Sequence, residues 1–161
     1  MIFLTIGTQM SFDRLIKCVD GWAADHPEVK VFAQMGETDL HPEHIQATGF
    51  ISSQEYAEQM REASLVIAHA GLGSIISALE NGKPILVLPR RADLGEHRND
   101  HQLATARRFE GHEGVLVAFT TEDLIDRLNR LEEITAPGVL RRDAAPELLD
   151  AIRAFVQERG N

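Results

Sequence analysis

The sequence predicts an α/β protein: a parallel sheet covered by helices on both faces. Three observations carry that expectation. Short, continuously apolar runs recur along the chain, as strands buried on both faces require. Amphipathic segments at helical spacing separate them. The 161 residues, 43% of them apolar, suffice for one domain or for half of a larger protein.

Each element follows in order. Ile2–Ile6 reads as a buried strand ended by Gly7. Phe12, Leu15, Ile16, Val19 and Trp22 then recur at helical spacing, with Ser11 as the expected cap. Val29–Ala33 is the second strand, Gln34–Glu43 a loop and Ala47–Ile51 a third strand. Ser52 and Glu55 have the spacing of a capping box, in which each side chain satisfies a free backbone N–H of the other. The helix behind them buries Tyr56, Met60 and Ala63. Leu65–Ala68 is a strand, His69–Gly73 a glycine turn, and Ser74–Asn81 a helix stopped by Gly82 and Pro84. Ile85–Leu88 is the next strand. Pro89–Asp100 is a polar loop with six charged residues in twelve. His101–Phe109 is helical and Val115–Phe119 is the last strand. Thr120 caps a helix with Leu124, Leu128 and Leu131 on one face. The domain is expected to span 1–135. A linker, Ala136–Ala145, then leads to an amphipathic helix over Pro146–Gln157. Its stripe of Leu148, Leu149, Ile152, Phe155 and Val156 is expected to pack on this domain or on a partner.

Composition excludes several functions. Sixteen Lys and Arg against 25 Asp and Glu give a net charge of −9, which disfavours nonspecific binding to nucleic acid or anionic lipid. The acidity is not a tail: residues 1–89 carry 5 basic and 11 acidic groups, residues 90–161 carry 11 and 14. Cys18 is the sole cysteine, so no disulfide forms within the chain, as in a reducing compartment. Ala63–Leu79 is free of Asp, Glu, Lys and Arg, but His69, Gly71, Gly73 and three serines interrupt it, so it reads as strand–turn–helix and not as a membrane span.

The chemistry concentrates in LVIAHAGLGSIISALENGKPILVLP, residues Leu65–Pro89. A buried strand runs into two glycines and then a helix. Glycine lets backbone approach a ligand and permits positive φ. A helix start offers unpaired N–H groups and a positive dipole end, which together suit a diphosphate. Strand ends of open parallel sheets are where ligands bind. Two other phosphate motifs fail on spacing. Ile76 stands where a dinucleotide fingerprint needs its third glycine, and no G-x-x-x-x-G-K-[ST] occurs. There is no H-E-x-x-H and no Asp-x-Asp, so metal-independent chemistry is expected.

HAGLGSIISALENGKPILVLP resembles the nucleotide-sugar motif of the glycosyltransferase family 28 C-terminal domain, the donor-binding half of the two-domain GT-B fold. IFLTIGTQMSFDRLI and PRRADLGEHRNDHQLATA narrow the resemblance to small, separately encoded catalytic subunits of bacterial exopolysaccharide and capsule transferases. Those are similar to the soluble subunit of the enzyme that adds the second N-acetylglucosamine to dolichol-linked glycan. The resemblance implies a Rossmann-like domain that binds a UDP-sugar donor and needs no cofactor. It implies a membrane-associated partner subunit that supplies the other half and binds a lipid-linked saccharide acceptor. The chain would then be cytoplasmic, recruited to the inner face of the membrane by that partner. Two other readings stay open: a noncatalytic nucleotide-sugar-binding enhancer subunit, and a UDP-sugar epimerase.

The resemblance also assigns residues. Gly71, Gly73 and Ser74 match the diphosphate turn, with Ser74 also able to cap its helix, and His69 opens that turn. Ser77 stands where many members carry the glutamate that holds ribose, and Glu80, three residues on, is the candidate replacement. Phe50 and Ile51 match the pair flanking the base. Gly7, Thr8 and Gln9 match the first glycine loop. His101 and Gln102 match a donor-sugar contact, with Glu96, His97, Asn99 and Asp100 on a charged lid before them. Arg90, Arg91 and Arg98 are candidates to pair with a uronate carboxylate. No residue of this chain is expected to deprotonate the acceptor.

Overall fold

The computed structural model describes residues 1–134. The expected linker and C-terminal helix lie outside the described residues. Six strands form one parallel sheet: β1 (Ile2–Thr5), β2 (Val31–Gln34), β3 (Gln46–Thr48), β4 (Leu65–His69), β5 (Ile85–Leu88) and β6 (Val115–Val117). Five helices connect or follow them: α1 (Asp13–Ala24), α2 (Ser53–Glu62), α3 (Leu72–Glu80), α4 (His101–Phe109) and α5 (Thr121–Leu128). The strand order is β3-β2-β1-β4-β5-β6, the Rossmann-like arrangement. The chain builds outward from β1 to β3, then returns to lay β4 beside β1. That reversal opens a crevice at the carboxyl ends of β1 and β4.

Alternation along the strands divides the core in two. Ile2, Leu4, Ile67 and Leu86 face Leu15, Val19, Trp22 and Leu124 of α1 and α5. Phe3, Val66, Ala68 and Val87 face Met60, Ile75, Leu79 and Phe109 of α2, α3 and α4. Each fully buried large apolar side chain contributes about 1.5–3 kcal/mol. Both faces of the sheet are therefore covered, as the apolar runs predict.

The expected capping box forms at α2, and α5 carries a second one. The Glu55 amide donates to Ser52 Oγ at 3.2 Å, and the Ser52 amide donates to Glu55 Oε2 at 2.8 Å. Thr120 and Asp123 repeat the exchange at 3.1 and 3.2 Å. Tyr56 is half-buried where full burial was expected. Strand boundaries shift slightly: β2 extends to Gln34, and β3 ends at Thr48, leaving Phe50 and Ile51 beyond it.

Two caps differ from expectation. Phe12, not Ser11, sits at the N-cap of α1, with no side-chain cap bond. The Ser11 carbonyl is held by the Arg90 guanidinium, which fixes the chain one residue later. Gly71, not Ser74, caps α3, so that helix begins two residues before the expected start. Ser74 is buried inside its first turn.

Candidate functional site

A cleft of about 720 Å³ lies at the β1/β4 reversal. Thr5 and Gln34 form its floor. Gly7, Thr8 and Gln9 form one wall, and His69 through Ser74 with Ser77 form another. Tyr56 and the start of α4, with His101, Gln102 and Thr105, complete the lining, together with His97. The first glycine loop, the second glycine turn and three of the six expected sugar-side residues thus converge.

The two glycine turns meet across one imidazole. Gly7 has φ +77°, and a Cβ there would lie 2.8 Å from His69 Cε1. A Cβ on Gly71 would come to 2.1 Å from His69 Nε2, well inside contact. Gly71 itself has φ −87°. Its requirement is therefore space and not the positive φ expected from sequence. Gly73 also differs from expectation: it lies within α3, its φ is not positive, and an added Cβ would meet nothing within 4 Å.

His69 is the last residue of β4. Its Nδ1 is buried with no hydrogen-bond partner. Burial, and then the positive charge of Arg90, pull its pKa down to about 4, so the ring is neutral at pH 7. A neutral imidazole can present either N–H or lone pair, and the unused nitrogen is a polar group without compensation. Beside it stands the N-terminus of α3. Its glycine cap has no side chain to satisfy the first amides, and its first turn carries no acidic residue. Free N–H groups and an unopposed helix dipole at one point suit an anion.

Tyr56 is half-buried beside Ser74 and Ser77, and burial pushes its hydroxyl pKa up, with the two serines pulling the other way. Ser77 lines the cleft, but Glu80 does not: it is exposed at the far end of α3. Six residues at 1.5 Å each put it about 9 Å along the axis from Ser74. Phe50 is 52% exposed and lines a separate recess of about 280 Å³ with Gly7–Ser11, Gly36 and Glu37. Ile51 packs against the α2–α4 core.

The charged loop is only partly the expected lid. Glu96 is not free for a ligand. It takes two bonds from Arg14, at 2.6 and 2.9 Å, and one from the Arg91 amide at 2.9 Å. Asp100 accepts from the Ala92 amide, and Asn99 accepts from the His101 amide. These three side chains build the loop, whereas His97, His101 and Gln102 reach the cleft. Nor are all three arginines free for a uronate. Arg91 forks onto Asp93, and Arg90 is 2% exposed, with its guanidinium on backbone carbonyls.

Sequence reading missed Gln34, Thr5 and Tyr56 as parts of the site. Gln34 is buried, takes the Thr5 hydroxyl at 2.8 Å, and donates to the Gly7 and Gly49 carbonyls. A glutamine ending an apolar strand run was the available signal. Among the described residues, no cluster of His, Cys, Asp or Glu is arranged to hold a metal ion. No helix among them is long and apolar enough to cross a membrane.

Residues 1–136 match the glycosyltransferase family 28 C-terminal domain. The chain belongs to this family. It is 34% identical over 125 residues to the human UDP-N-acetylglucosamine transferase subunit ALG13, covering 69% of this chain and 10% of that protein. The chain thus spans about a tenth of the human relative. The NMR solution structure of ALG13 superposes with a TM-score of 0.63 at 23% identity, covering 92% of this chain and 94% of that one. A UDP-glucose: anthocyanidin 3-O-glucosyltransferase in complex with UDP superposes at 0.59 with 14% identity, covering 99% of this chain and 36% of the enzyme. At such identities these two likenesses establish the fold, a glycosyltransferase Rossmann-like domain of GT-B type. Within this family 28 domain, the cleft at the β1/β4 reversal brings together both glycine loops.

Proposed function

We propose that this chain is the donor-binding catalytic subunit of a UDP-sugar-dependent inverting glycosyltransferase. The observation that carries the reading is the start of α3, with no side chain capping its first amides, beside the unpartnered His69 Nδ1. A leaving diphosphate there accumulates charge as the glycosidic bond breaks, and fixed amide dipoles stabilise it without a metal. His97, His101 and Gln102 are the groups at hand for the sugar, and Ser77 with Tyr56 for the ribose side. Thr8 and Gln9 close over the diphosphate, with the base toward Phe50 and Ile51. The human relative, a UDP-N-acetylglucosamine transferase subunit, supports UDP-N-acetylglucosamine as the first donor to try, and supports a subunit of a larger assembly.

The acceptor in this reading is a lipid-linked saccharide presented by a membrane-associated partner. That partner supplies the other half of the fold and the base that inversion requires. The chain acts on the cytoplasmic side of the membrane, in exopolysaccharide or capsule synthesis. Titration calorimetry with UDP and a panel of UDP-sugars tests the donor site. Binding of UDP, lost in Gly71→Val, is expected; no heat with any uridine nucleotide would overturn the reading. Efficient transfer by the isolated chain to a defined acceptor would overturn the division of labour. The serine at position 77 favours one second reading, a noncatalytic enhancer subunit. Gly71→Val separates the two, since the activity of the complex collapses for a catalytic subunit and persists for an enhancer.

A further inference from the structure

Arg90 occupies an unusual place for a cation. It follows β5 by two residues and is buried against the underside of the first glycine loop. Nη2 donates to the Ile6 carbonyl at 2.8 Å and the Met10 carbonyl at 2.6 Å. Nη1 donates to the Ser11 carbonyl at 2.5 Å and the Glu96 carbonyl at 3.4 Å. The Phe12 ring lies beneath it, 4.6 Å from Cζ to centroid. The Arg90 amide donates to Gln102 Oε1 at 3.0 Å. One residue thus holds both ends of the Gly7–Met10 turn, the charged loop and the start of α4.

None of those guanidinium partners is a carboxylate. Glu96 spends its carboxylate on Arg14 and on the Arg91 amide. The Arg90 charge is met by carbonyl dipoles and an aromatic face, so a net positive charge remains under the loop. The carbonyls also carry geometry. A peptide unit is planar and trans, so a carbonyl turned toward Arg90 turns the next N–H away from it. The Gly7 amide accordingly points at the Thr5 hydroxyl on the cleft floor, at 3.4 Å.

We propose that Arg90 is a positioning residue for the donor diphosphate, acting through the backbone of the Gly7–Ser11 loop. It fixes the Ile6, Met10 and Ser11 carbonyls on the buried side and so sets the path the loop takes along the cleft. It also ties that loop to the wall bearing His97, His101 and Gln102. This rests on the diphosphate reading of the cleft, and the experiment separates the two.

Arg90→Lys keeps the charge and removes the fork that spans several carbonyls. UDP and UMP are titrated against wild type and variant, and amide hydrogen exchange is followed without ligand. UDP affinity is expected to fall on the order of tenfold, as loss of charge-assisted bonds implies, with the UMP affinity changing much less. Amides of Gly7–Ser11 are expected to exchange faster, while those of β4 and β5 do not. An unchanged UDP-to-UMP ratio, or loop amides exchanging as in wild type, overturns the proposal. If wild type binds neither nucleotide, the diphosphate reading falls and the exchange data alone decide whether Arg90 holds the loop. Should Arg90→Lys not fold, Phe12→Leu removes the ring beneath the guanidinium and is expected to move the same ratio by a smaller factor; no movement there overturns the proposal equally.

Discussion

The two sides of the cleft are built by opposite means. The His69–Ser74 side is held by space: one imidazole fills the gap between two glycines, and no charged side chain bonds it. The side from Pro89 to Gln102 is held by charge. Arg14, Arg90, Arg91 and Glu96 cross-link it to the first loop and to α1. A wall built on space leaves its amides and ring nitrogen free for a ligand. A wall built on ion pairs uses up its polar groups in shaping itself. That is why much of a loop rich in candidate ligands is structural. It also means the two walls are expected to break differently.

The steric wall gives the largest effect. Gly71→Val puts a branched side chain where even Cβ lies 2.1 Å from His69 Nε2. Either the imidazole, which lines the cleft, or the cap of α3 must move. UDP affinity is expected to fall by about a thousandfold, or about 4 kcal/mol, by calorimetry, with the far-ultraviolet dichroism of the sheet and helices retained. A loss below tenfold would show that the turn relaxes cheaply and that space is not what holds it.

The same wall carries a pH signature. His69 has a folded pKa of about 4 against an unfolded value near 6.5. The folded state therefore binds fewer protons between those limits, and stability falls as the pH drops from about 6.5 to about 4. Two and a half units correspond to about 3 kcal/mol at the low end. Denaturant titrations across that window are expected to show the loss in wild type and a shallower one in His69→Gln. Parallel curves for the two proteins would remove His69 as the cause.

The charged wall is expected to lose stability before affinity. Glu96→Ala leaves Arg14 without its partner in a part-buried setting, the two side chains being 20% and 12% exposed. Breaking a fully buried pair costs about 3–5 kcal/mol; with this exposure about 2 kcal/mol is expected. Chemical denaturation measures it. A large fall in UDP affinity with unchanged stability would instead return Glu96 to the ligand.

The legibility of the sequence follows the same division. The apolar runs and the Ser52–Glu55 capping box are local patterns, and the strands and helices they mark appear within a few residues of where they are expected. Strand order was not legible, because the reversal after β3 depends on nonlocal pairing of Ile2–Thr5 with Leu65–Ala68. The glycine turn was legible as a site, but its reason was not. That Gly71 clears the imidazole two residues earlier depends on the turn's three-dimensional path. Arg90 and Glu96 were misread for a related reason. Their partners, Ile6, Met10, Ser11 and Arg14, lie about eighty residues away, and no spacing rule links them.

The smallest effect is the sharpest test of the steric wall, because it separates room kept for the protein from room kept for a ligand. Gly73 shares the motif with Gly71, yet no atom lies within 4 Å of its added Cβ. It is exposed within α3, where glycine costs about 0.5–1 kcal/mol relative to alanine through lost backbone freedom. Packing in the free chain gives no reason to keep it. Gly73→Ala is therefore expected to stabilise the unliganded protein by about 0.5 kcal/mol and, if the proposed donor site is right, to weaken UDP binding, because the methyl group would then stand where diphosphate oxygens approach the first amides of α3. Thermal melting with and without UDP reads both signs from one sample. A variant more stable in both conditions would mean that the ligand stays clear of this helix start, and the anion site would have to be sought at the first loop alone.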